Sequence, residues 1–210
     1  MSAVDAIRRR WLLYHLADPD FAFMYDTPPP DEWVTIDCET TGLDIRRDQI
    51  VSVAAVRIAG NRLLTSQRLE LLVRPERKLQ GASVRVHQLR EQDLALGLDP
   101  EQAMRRLLAF IGARPLVGYY LEFDVAMLNR EIWPLLGVRL PQPMVEVSSM
   151  YYDWKNRQLP PHERGGTSDL RFATMMKALE MPTREAHDAL NDAVMAGLAF
   201  VKLRALTEAR

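Results

Sequence analysis

Two acidic residues, Asp37 and Glu39, stand two positions apart at the end of an apolar run that begins at Trp33. In a β-strand, side chains at positions i and i+2 lie on one face roughly 7 Å apart, so both carboxylates point the same way. Two carboxylates ~4 Å apart repel each other by up to about 4 kcal/mol at an effective dielectric constant of about 20. Because a bound cation would remove this repulsion, the pair predicts a metal site.

The residues that follow favour chemistry over the alternative, a solvated strand end. Residues 37–42 read Asp-Cys-Glu-Thr-Thr-Gly, in which a tight turn with small hydroxyl side chains comes directly after the acids. This pattern resembles the first motif of the DnaQ-like (DEDD) 3′-5′ exonucleases, the family of the proofreading subunit of bacterial DNA polymerase III. The resemblance implies that the terminal nucleotide is held by Thr40, Thr41, Gly42 and Leu43.

A third acid, Asp124, falls in the opening turn of a predicted helix, just after a predicted strand. Ligands of open α/β sheets bind outside the carboxyl ends of strands, where this aspartate would lie. The segment resembles the family's second motif, although Tyr119 and Tyr120 stand where the family has His-Asn. The resemblance makes Asp124 a metal ligand and Tyr120 a substrate-binding residue. Base stacking, at ~1 to 3 kcal/mol per base, and core packing account equally well for either tyrosine.

The segment from His187 to Asp192 resembles the family's His-x(4)-Asp motif, the mark of the DEDDh branch. On an ideal helix, side chains at i and i+5 point ~140° apart. His187 must therefore lie in the first turn or before it if both residues are to face one site. A helix that begins as early as Thr183 would instead bring Asp188 and Asp192 to one face.

The resemblance implies a metal-dependent exonuclease that removes nucleoside 5′-monophosphates from the 3′ end of single-stranded DNA. Carboxylate oxygens suit Mg²⁺ or Mn²⁺, and two such ions would activate water and stabilise the leaving 3′-oxygen. With an ordinary pKa of about 6.5, His187 is the expected general base. His87 lies in a segment similar to a loop that lines the family's cleft. The expected metal ligands are Asp37, Glu39, Asp124 and Asp192.

Two other interpretations remain open. The same chemistry could act on RNA 3′ ends or short oligoribonucleotides, because the sequence offers no clear reader of a 2′-hydroxyl group. The tyrosine pair and the N-terminal helix also fit a non-catalytic binding module on the same fold. Clustered carboxylates without metal are costly, which argues against this module. A single-stranded 3′ end is the expected ligand, and a DNA polymerase or another repair protein is a candidate partner.

The elements that would position these residues predict an α/β fold. Strands are expected at 33–38, 49–59 and 62–73, with a hairpin turn at Gly60-Asn61. A helix at 99–111, with an inner face of Ala103, Leu107, Leu108 and Phe110, precedes a strand at 115–119 and a helix at 122–136. A strand at 145–151, a helix starting at 168 or 169 and a last helix ending near 206 follow. This order predicts a mixed sheet of about five strands flanked by helices, which the resemblance makes ribonuclease H-like.

The first 32 residues are expected to form an appendage. A Ser-x-x-Asp pattern at the start predicts an extra helix over 3–17, and the proline run at 28–30 predicts an extended tether over 19–32. The expected division is therefore 1–32 for the helix and tether and 33–206 for the exonuclease domain.

Composition limits the remaining possibilities. The 210-residue chain has no apolar run near the ~18 residues of a membrane span, and its single Cys38 cannot form an internal disulfide. Both features favour the cytoplasm. A formal charge of −1 gives no broad basic surface, which argues against processive binding of a duplex and leaves room for a site for a short single strand.

Overall fold

The structure is a computed structural model that describes residues 3–76, 91–183 and 188–208. Five strands form its central sheet: β1 (Glu32–Thr40), β2 (Ile50–Ala59), β3 (Arg62–Leu72), β4 (Leu116–Gly118) and β5 (Met144–Glu146). Their order across the sheet is β3-β2-β1-β4-β5. β1 pairs antiparallel with β2 and parallel with β4, so the predicted mixed sheet is confirmed.

Helices cover both faces of the sheet. In the described part of the chain they are α1 (Ala3–His15), α2 (Glu91–Ala95), α3 (Pro100–Ile111), α4 (Leu121–Leu136), α5 (Val147–Arg157), α6 (Phe172–Ala178) and α7 (Ala189–Glu208). One buried cluster joins α3 and α4 to the sheet, and a second joins α5, α6 and α7 to it. Within the described residues, no helix is long and apolar enough to cross a membrane.

The alternation of β1 decides which side chains face α7. Val34, Ile36 and Cys38 are buried in the cluster with α3 and α4. Thr35 points the other way, and its hydroxyl donates a 2.8 Å hydrogen bond to the carbonyl of Ala193 in α7. The odd-numbered positions that follow Thr35 along the strand therefore face α7, and Cys38 lies behind them as predicted.

Four sequence expectations differ from the structure, the first of them in α3. Asp99 caps this helix by accepting a hydrogen bond from the backbone N–H of Glu101. Met104 and Ile111 are buried, whereas Phe110 is only partly buried, with the Arg57 guanidinium 5.3 Å from its ring centroid. Phe110 packs against the core cluster from the edge of the inner face, so its prediction is confirmed only in part, because the fully buried stripe passes through position 111, about 100° further round the helix.

The second and third differences concern strand 145–151 and the helix at 168 or 169. The strand ends at Glu146, whose carboxylate accepts hydrogen bonds from the backbone N–H and hydroxyl of Ser148, so the chain turns into α5. The next helix begins only at Phe172, because the Asp169 carboxylate binds the backbone N–H and guanidinium of Arg171 and holds a turn there.

The fourth difference concerns the segment after α1. Residues Pro19–Tyr25 form a 3₁₀ helix, and its Phe21 and Met24 are buried in the cluster with α3 and α4. Asp18 also accepts a 2.6 Å hydrogen bond from Arg105. The expectation of an extended tether was therefore wrong for 19–25, because two apolar side chains anchor it to the core. The division of the chain at residue 32 remains a prediction.

Candidate active site

Three of the predicted acidic residues meet beside the end of β1. Asp37, Glu39 and Asp192 are partly buried, and each offers one carboxylate oxygen within 4.8 Å of those of the other two. Asp37 and Glu39 come from one face of β1, and Asp192 lies in the first turn of α7. Three residues separated by up to 155 positions in the chain are thus brought to one point.

Asp124 lies close enough to act on this trio electrostatically. It is in the first turn of α4 and only 5% exposed. Burial raises its pKa well above the ordinary value, against a backbone hydrogen bond from Cys38 that lowers the pKa. Burial also raises the pKa of Asp37, and the charge of Asp124 is the next largest cause. All four acids therefore belong to one electrostatic cluster.

Among the described residues, the cluster is made of carboxylate oxygens. Burial, followed by the charges of Asp192 and Asp188, raises the pKa of Glu39 to about 7. Without a compensating charge, the site therefore retains protons near neutral pH. The donors are carboxylate oxygens, whereas Cys38 is buried on the opposite face of β1 and cannot join them. This donor set fits hard divalent ions such as Mg²⁺ or Mn²⁺.

The start of α7 settles one of the alternatives left open by the sequence. The Asp188 carboxylate accepts a 2.8 Å hydrogen bond from the backbone N–H of Asn191, so it caps a helix that begins at Ala189. Thr183 is not helical. The helix therefore does not begin as early as Thr183, although Asp188 still lies near enough for its charge to raise the pKa of Glu39.

Two predicted site residues, His187 and His87, lie outside the described residues. His187 immediately precedes Asp188 in the sequence. The expected general base thus adjoins the cap of α7, and its role remains a prediction. The same holds for His87 as a lining residue of the cleft.

Side-chain hydrogen bonds hold the backbone of the loop after β1. Thr40 donates a 2.7 Å hydrogen bond to the carbonyl of Gly42, and Thr41 donates a 3.0 Å hydrogen bond to the carboxylate of Asp48. The other oxygen of that carboxylate accepts from the backbone N–H of Asp44 at 2.8 Å. A Cβ atom on Gly42 would lie 2.5 Å from Asp48 Oδ2, so a larger residue there would displace the carboxylate that holds the loop.

Leu43 is the exposed tip of this loop, with 85% of its surface accessible. Its side chain is free to contact a ligand, which is compatible with the predicted nucleotide cradle. Asp48, which holds the loop in shape, was missed by the sequence reasoning. Its only sequence signal is an acid placed just before the next strand.

The two tyrosines differ in their environment. Tyr119 donates a 3.0 Å hydrogen bond to the carbonyl of Leu170 and packs on Phe172, with ring centroids 4.7 Å apart. Tyr120 is 71% exposed and adopts the left-handed backbone region at φ 55°. The packing account therefore applies to Tyr119, whereas the ring of Tyr120 is accessible to a base.

Glu146 also shapes the site and was missed by the sequence reasoning. Its carboxylate accepts hydrogen bonds from the backbone N–H groups of Tyr120 (3.3 Å) and Leu121 (2.9 Å), at the start of the helix that carries Asp124. Its charge also contributes to the raised pKa of Asp124. In the sequence, a glutamate between a strand and a helix predicts a cap for the helix that follows it. Nothing in the sequence predicts that the same side chain also caps α4.

Comparison with known proteins identifies the family. The sequence model of an exonuclease family matches residues 34–200, which include all four acids. The chain belongs to this family. The family match thus agrees with the DnaQ-like motifs found in the sequence and with the observed fold, and the chain is a nuclease-type domain.

Relatives of this exonuclease carry DNA polymerase III names. It is 29% identical over 182 residues to a DNA polymerase III subunit epsilon-like protein of Rhodobacter capsulatus, covering 85% of this chain and 24% of that protein. It is 22% identical to the DNA polymerase III subunit epsilon of Aquifex aeolicus, covering 89% of this chain and 87% of that one. The exonuclease thus spans about a quarter of the first relative and most of the second.

Solved structures share the fold of this exonuclease. Exonuclease I superimposes with a TM-score of 0.68 at 17% identity, over 85% of this chain and 43% of that one. E. coli exonuclease I in complex with a dA16 oligonucleotide gives 0.65 at 16% identity, covering 85% and 42% of the two chains. Exonuclease X in complex with 5′-overhanging duplex DNA gives 0.63 at 18%, covering 84% and 93%. At such identities, these likenesses establish the fold alone.

Proposed function

We propose that this exonuclease hydrolyses phosphodiester bonds at the 3′ end of single-stranded DNA and releases nucleoside 5′-monophosphates. The observation that supports this most directly is the trio of Asp37, Glu39 and Asp192, whose carboxylate oxygens lie within 4.8 Å of one another. The pKa values of Asp37 and Glu39 are raised, so these two acids need a cation to be fully ionised at neutral pH.

Two divalent cations, Mg²⁺ or Mn²⁺, are the proposed cofactors. When bound, they would lower the pKa of a water molecule and stabilise negative charge on the leaving 3′-oxygen. The residues that would hold them are Asp37, Glu39, Asp124 and Asp192. Their carboxylates belong to β1, α4 and α7, and the packing of both helices against the sheet supports a ligand set held by the fold.

The remaining residues would bind the strand and move the proton. His187 would accept the proton of the attacking water, since an imidazole with an ordinary pKa is half-neutral near pH 6.5. Thr40, Thr41, Gly42 and Leu43 would hold the terminal nucleotide. The exposed ring of Tyr120 would stack on a base in place of the family's asparagine. By analogy with the epsilon relatives, a DNA polymerase is the proposed partner, with another repair protein as the alternative.

The test is hydrolysis of a short oligonucleotide labelled at its 5′ end, with Mn²⁺ or with a chelator. A ladder that shortens from the 3′ end only with the metal, and mononucleotide products, are expected. Asp37→Asn and Asp192→Asn should reduce the rate to background, whereas Glu70→Gln, an exposed acid on β3, should not.

Two further arms address the alternatives. Matched DNA and RNA strands compare the substrates, and faster cleavage of RNA would replace DNA in the proposal. Absence of cleavage on both, together with absence of Mn²⁺ binding by calorimetry, would instead favour the non-catalytic module.

A further inference from the structure

A groove of about 570 Å³ runs along the outer face of α4 beside the candidate active site. One wall is this helix, and a second wall receives contributions from Ile45 of the loop after β1 and from Arg139 and Met144. Its lining combines apolar, aromatic and charged side chains, including Ile45, Glu122, Arg130, Trp133, Arg139 and Met144. None of these six residues belongs to the metal site or to the proposed nucleotide cradle.

The groove is lined by residues close in the chain to those of the candidate site, on both the helix and the loop. Along α4 it extends from Glu122, two residues before Asp124, to Trp133, a length of about 16 Å at 1.5 Å per residue. In the loop, Ile45 lies two residues after the exposed Leu43. Arg130 joins the two walls, because its Nη1 donates a 2.7 Å hydrogen bond to the carbonyl of Ile45.

The lining has the chemistry that single-stranded nucleic acid requires. Trp133 is 53% exposed, and the exposed Arg139 places its guanidinium 5.9 Å from the indole ring centroid. An aromatic face beside a cation binds a base and its phosphate, whatever the sequence. The two arginines of the lining are matched by Glu122 and by Glu131 beside it, so the positive charge is local, at the exposed Arg139, and is not a property of the whole groove. Arg130 is paired with Glu131 at 2.7 Å, so Arg139 is the main phosphate contact.

We infer that this groove binds the nucleotides upstream of the two that flank the scissile bond, with a base on Trp133 and a phosphate on Arg139. The inference rests on the proposed function and extends it, because it makes the preferred substrate a single strand longer than a dinucleotide. The cleaved nucleotide itself would be held elsewhere, in the cradle of the β1 loop.

The experiment compares a dinucleotide with a longer single strand in Mn²⁺. For Trp133→Ala, KM of the longer strand should rise roughly 5- to 100-fold, the loss expected for one stacked base. Its kcat, and hydrolysis of the dinucleotide, should be unchanged, and Trp133→Phe should restore most of the affinity. Trp11→Ala, which removes an exposed tryptophan from α1, is the matched control and should behave as the wild type.

Arg139→Ala tests whether the guanidinium of this residue contacts a phosphate of the strand. It should lower the slope of log binding constant against log salt by roughly 1, whereas Arg62→Ala, an exposed arginine on β3, should not. Strand binding is measured by fluorescence anisotropy in a chelator, so it does not depend on catalysis. Equal strand binding by the Trp133→Ala and Trp11→Ala variants would overturn the assignment of the groove to nucleic acid. This is the result expected if the groove binds a peptide instead. Absence of hydrolysis of both the dinucleotide and the longer strand by the wild type would overturn the proposed function, whereas strand binding in chelator would still test the groove.

Discussion

The hydroxyl of Thr35 and the carbonyl of Ala193 are joined by a buried 2.8 Å hydrogen bond between β1 and α7. Thr35 precedes Asp37 by two positions on the same face of the strand, and Ala193 directly follows Asp192 in the helix. The bond therefore sets the register between the two elements that carry the acidic trio. A shift of α7 along β1 would therefore change the distances among the three clustered carboxylates.

Thr35→Val tests this register because it keeps the shape of the side chain and removes the hydroxyl. Loss of one buried hydrogen bond should cost about 1 kcal/mol, or roughly 2 to 4 °C in melting temperature. The affinity for Mn²⁺ should fall as well, measured by isothermal titration calorimetry. Thr35→Ser retains the hydroxyl and is the control. Unchanged Mn²⁺ affinity in Thr35→Val would contradict a role for this bond in placing Asp192.

Gly197→Ala perturbs the same contact by volume. An added Cβ would lie 2.8 Å from Leu63 Cδ1 and 2.9 Å from Thr35 Cγ2, so α7 must move away from the sheet. Alanine gains up to about 1 kcal/mol of helix propensity over glycine, which offsets part of the clash in stability. The affinity for Mn²⁺ should therefore fall, whereas the melting temperature should change little. Gly166→Ala, with no atom nearer than 3.8 Å to the added Cβ, is the control, and equal metal affinities of the two variants would refute the prediction.

Much of this arrangement could be predicted from local sequence. The alternation of β1 placed Asp37 and Glu39 on one face, and the Gly60-Asn61 pair marked the hairpin that the structure contains. These features depend on residues within a few positions of one another, where strand period and turn chemistry suffice.

The parts that were missed depend on tertiary contacts. Glu146 binds the backbone of Tyr120 and Leu121, 25 or 26 positions away. Phe21 and Met24 are buried in the core, although the prolines near them predicted an extended segment. A carboxylate that pairs with backbone N–H groups leaves no complementary side chain in the sequence. Such residues are found only once the elements are packed.

The raised pKa of Glu39 predicts a pH-dependent stability. Its ordinary value of 4.5 rises to about 7 in the fold, so between these values the native state binds more protons than the unfolded chain. The contribution of this group to stability is therefore present at low pH and is lost as pH rises through about 7. The melting temperature of the metal-free protein should fall from about pH 5 to pH 8 on this account.

Glu39→Gln should reduce that fall, whereas Glu70→Gln should not. Mn²⁺ competes with protons for the same carboxylates, so its stabilising effect should be larger at pH 8 than at pH 5. Differential scanning calorimetry in chelator and in Mn²⁺ measures both effects. A metal-free melting temperature that rises across this window would contradict the electrostatic account of the site.

Asp48→Ala should weaken binding of the terminal nucleotide without changing the affinity for Mn²⁺. The substitution removes the acceptor for Thr41 and for the backbone N–H of Asp44, which frees the loop that carries Leu43. Two hydrogen bonds at ~1 kcal/mol each predict a rise in KM of roughly 10-fold or more for a dinucleotide. Asp153→Ala, an exposed acid on α5, serves as the control. An equal loss of Mn²⁺ affinity would show that Asp48 supports the acids instead of the cradle.

His187→Ala should separate proton transfer from metal binding. If His187 accepts the proton of water, the substitution should lower kcat by about 10²-fold or more and leave Mn²⁺ affinity unchanged. The wild-type rate should rise between about pH 6 and pH 8 as the imidazole loses its proton. Because Glu39 also titrates near neutral pH, the profile must be recorded at saturating Mn²⁺, where its carboxylate is already ionised. A flat profile under those conditions would exclude the imidazole and point to Asp188 or to a chain of water molecules as the proton acceptor.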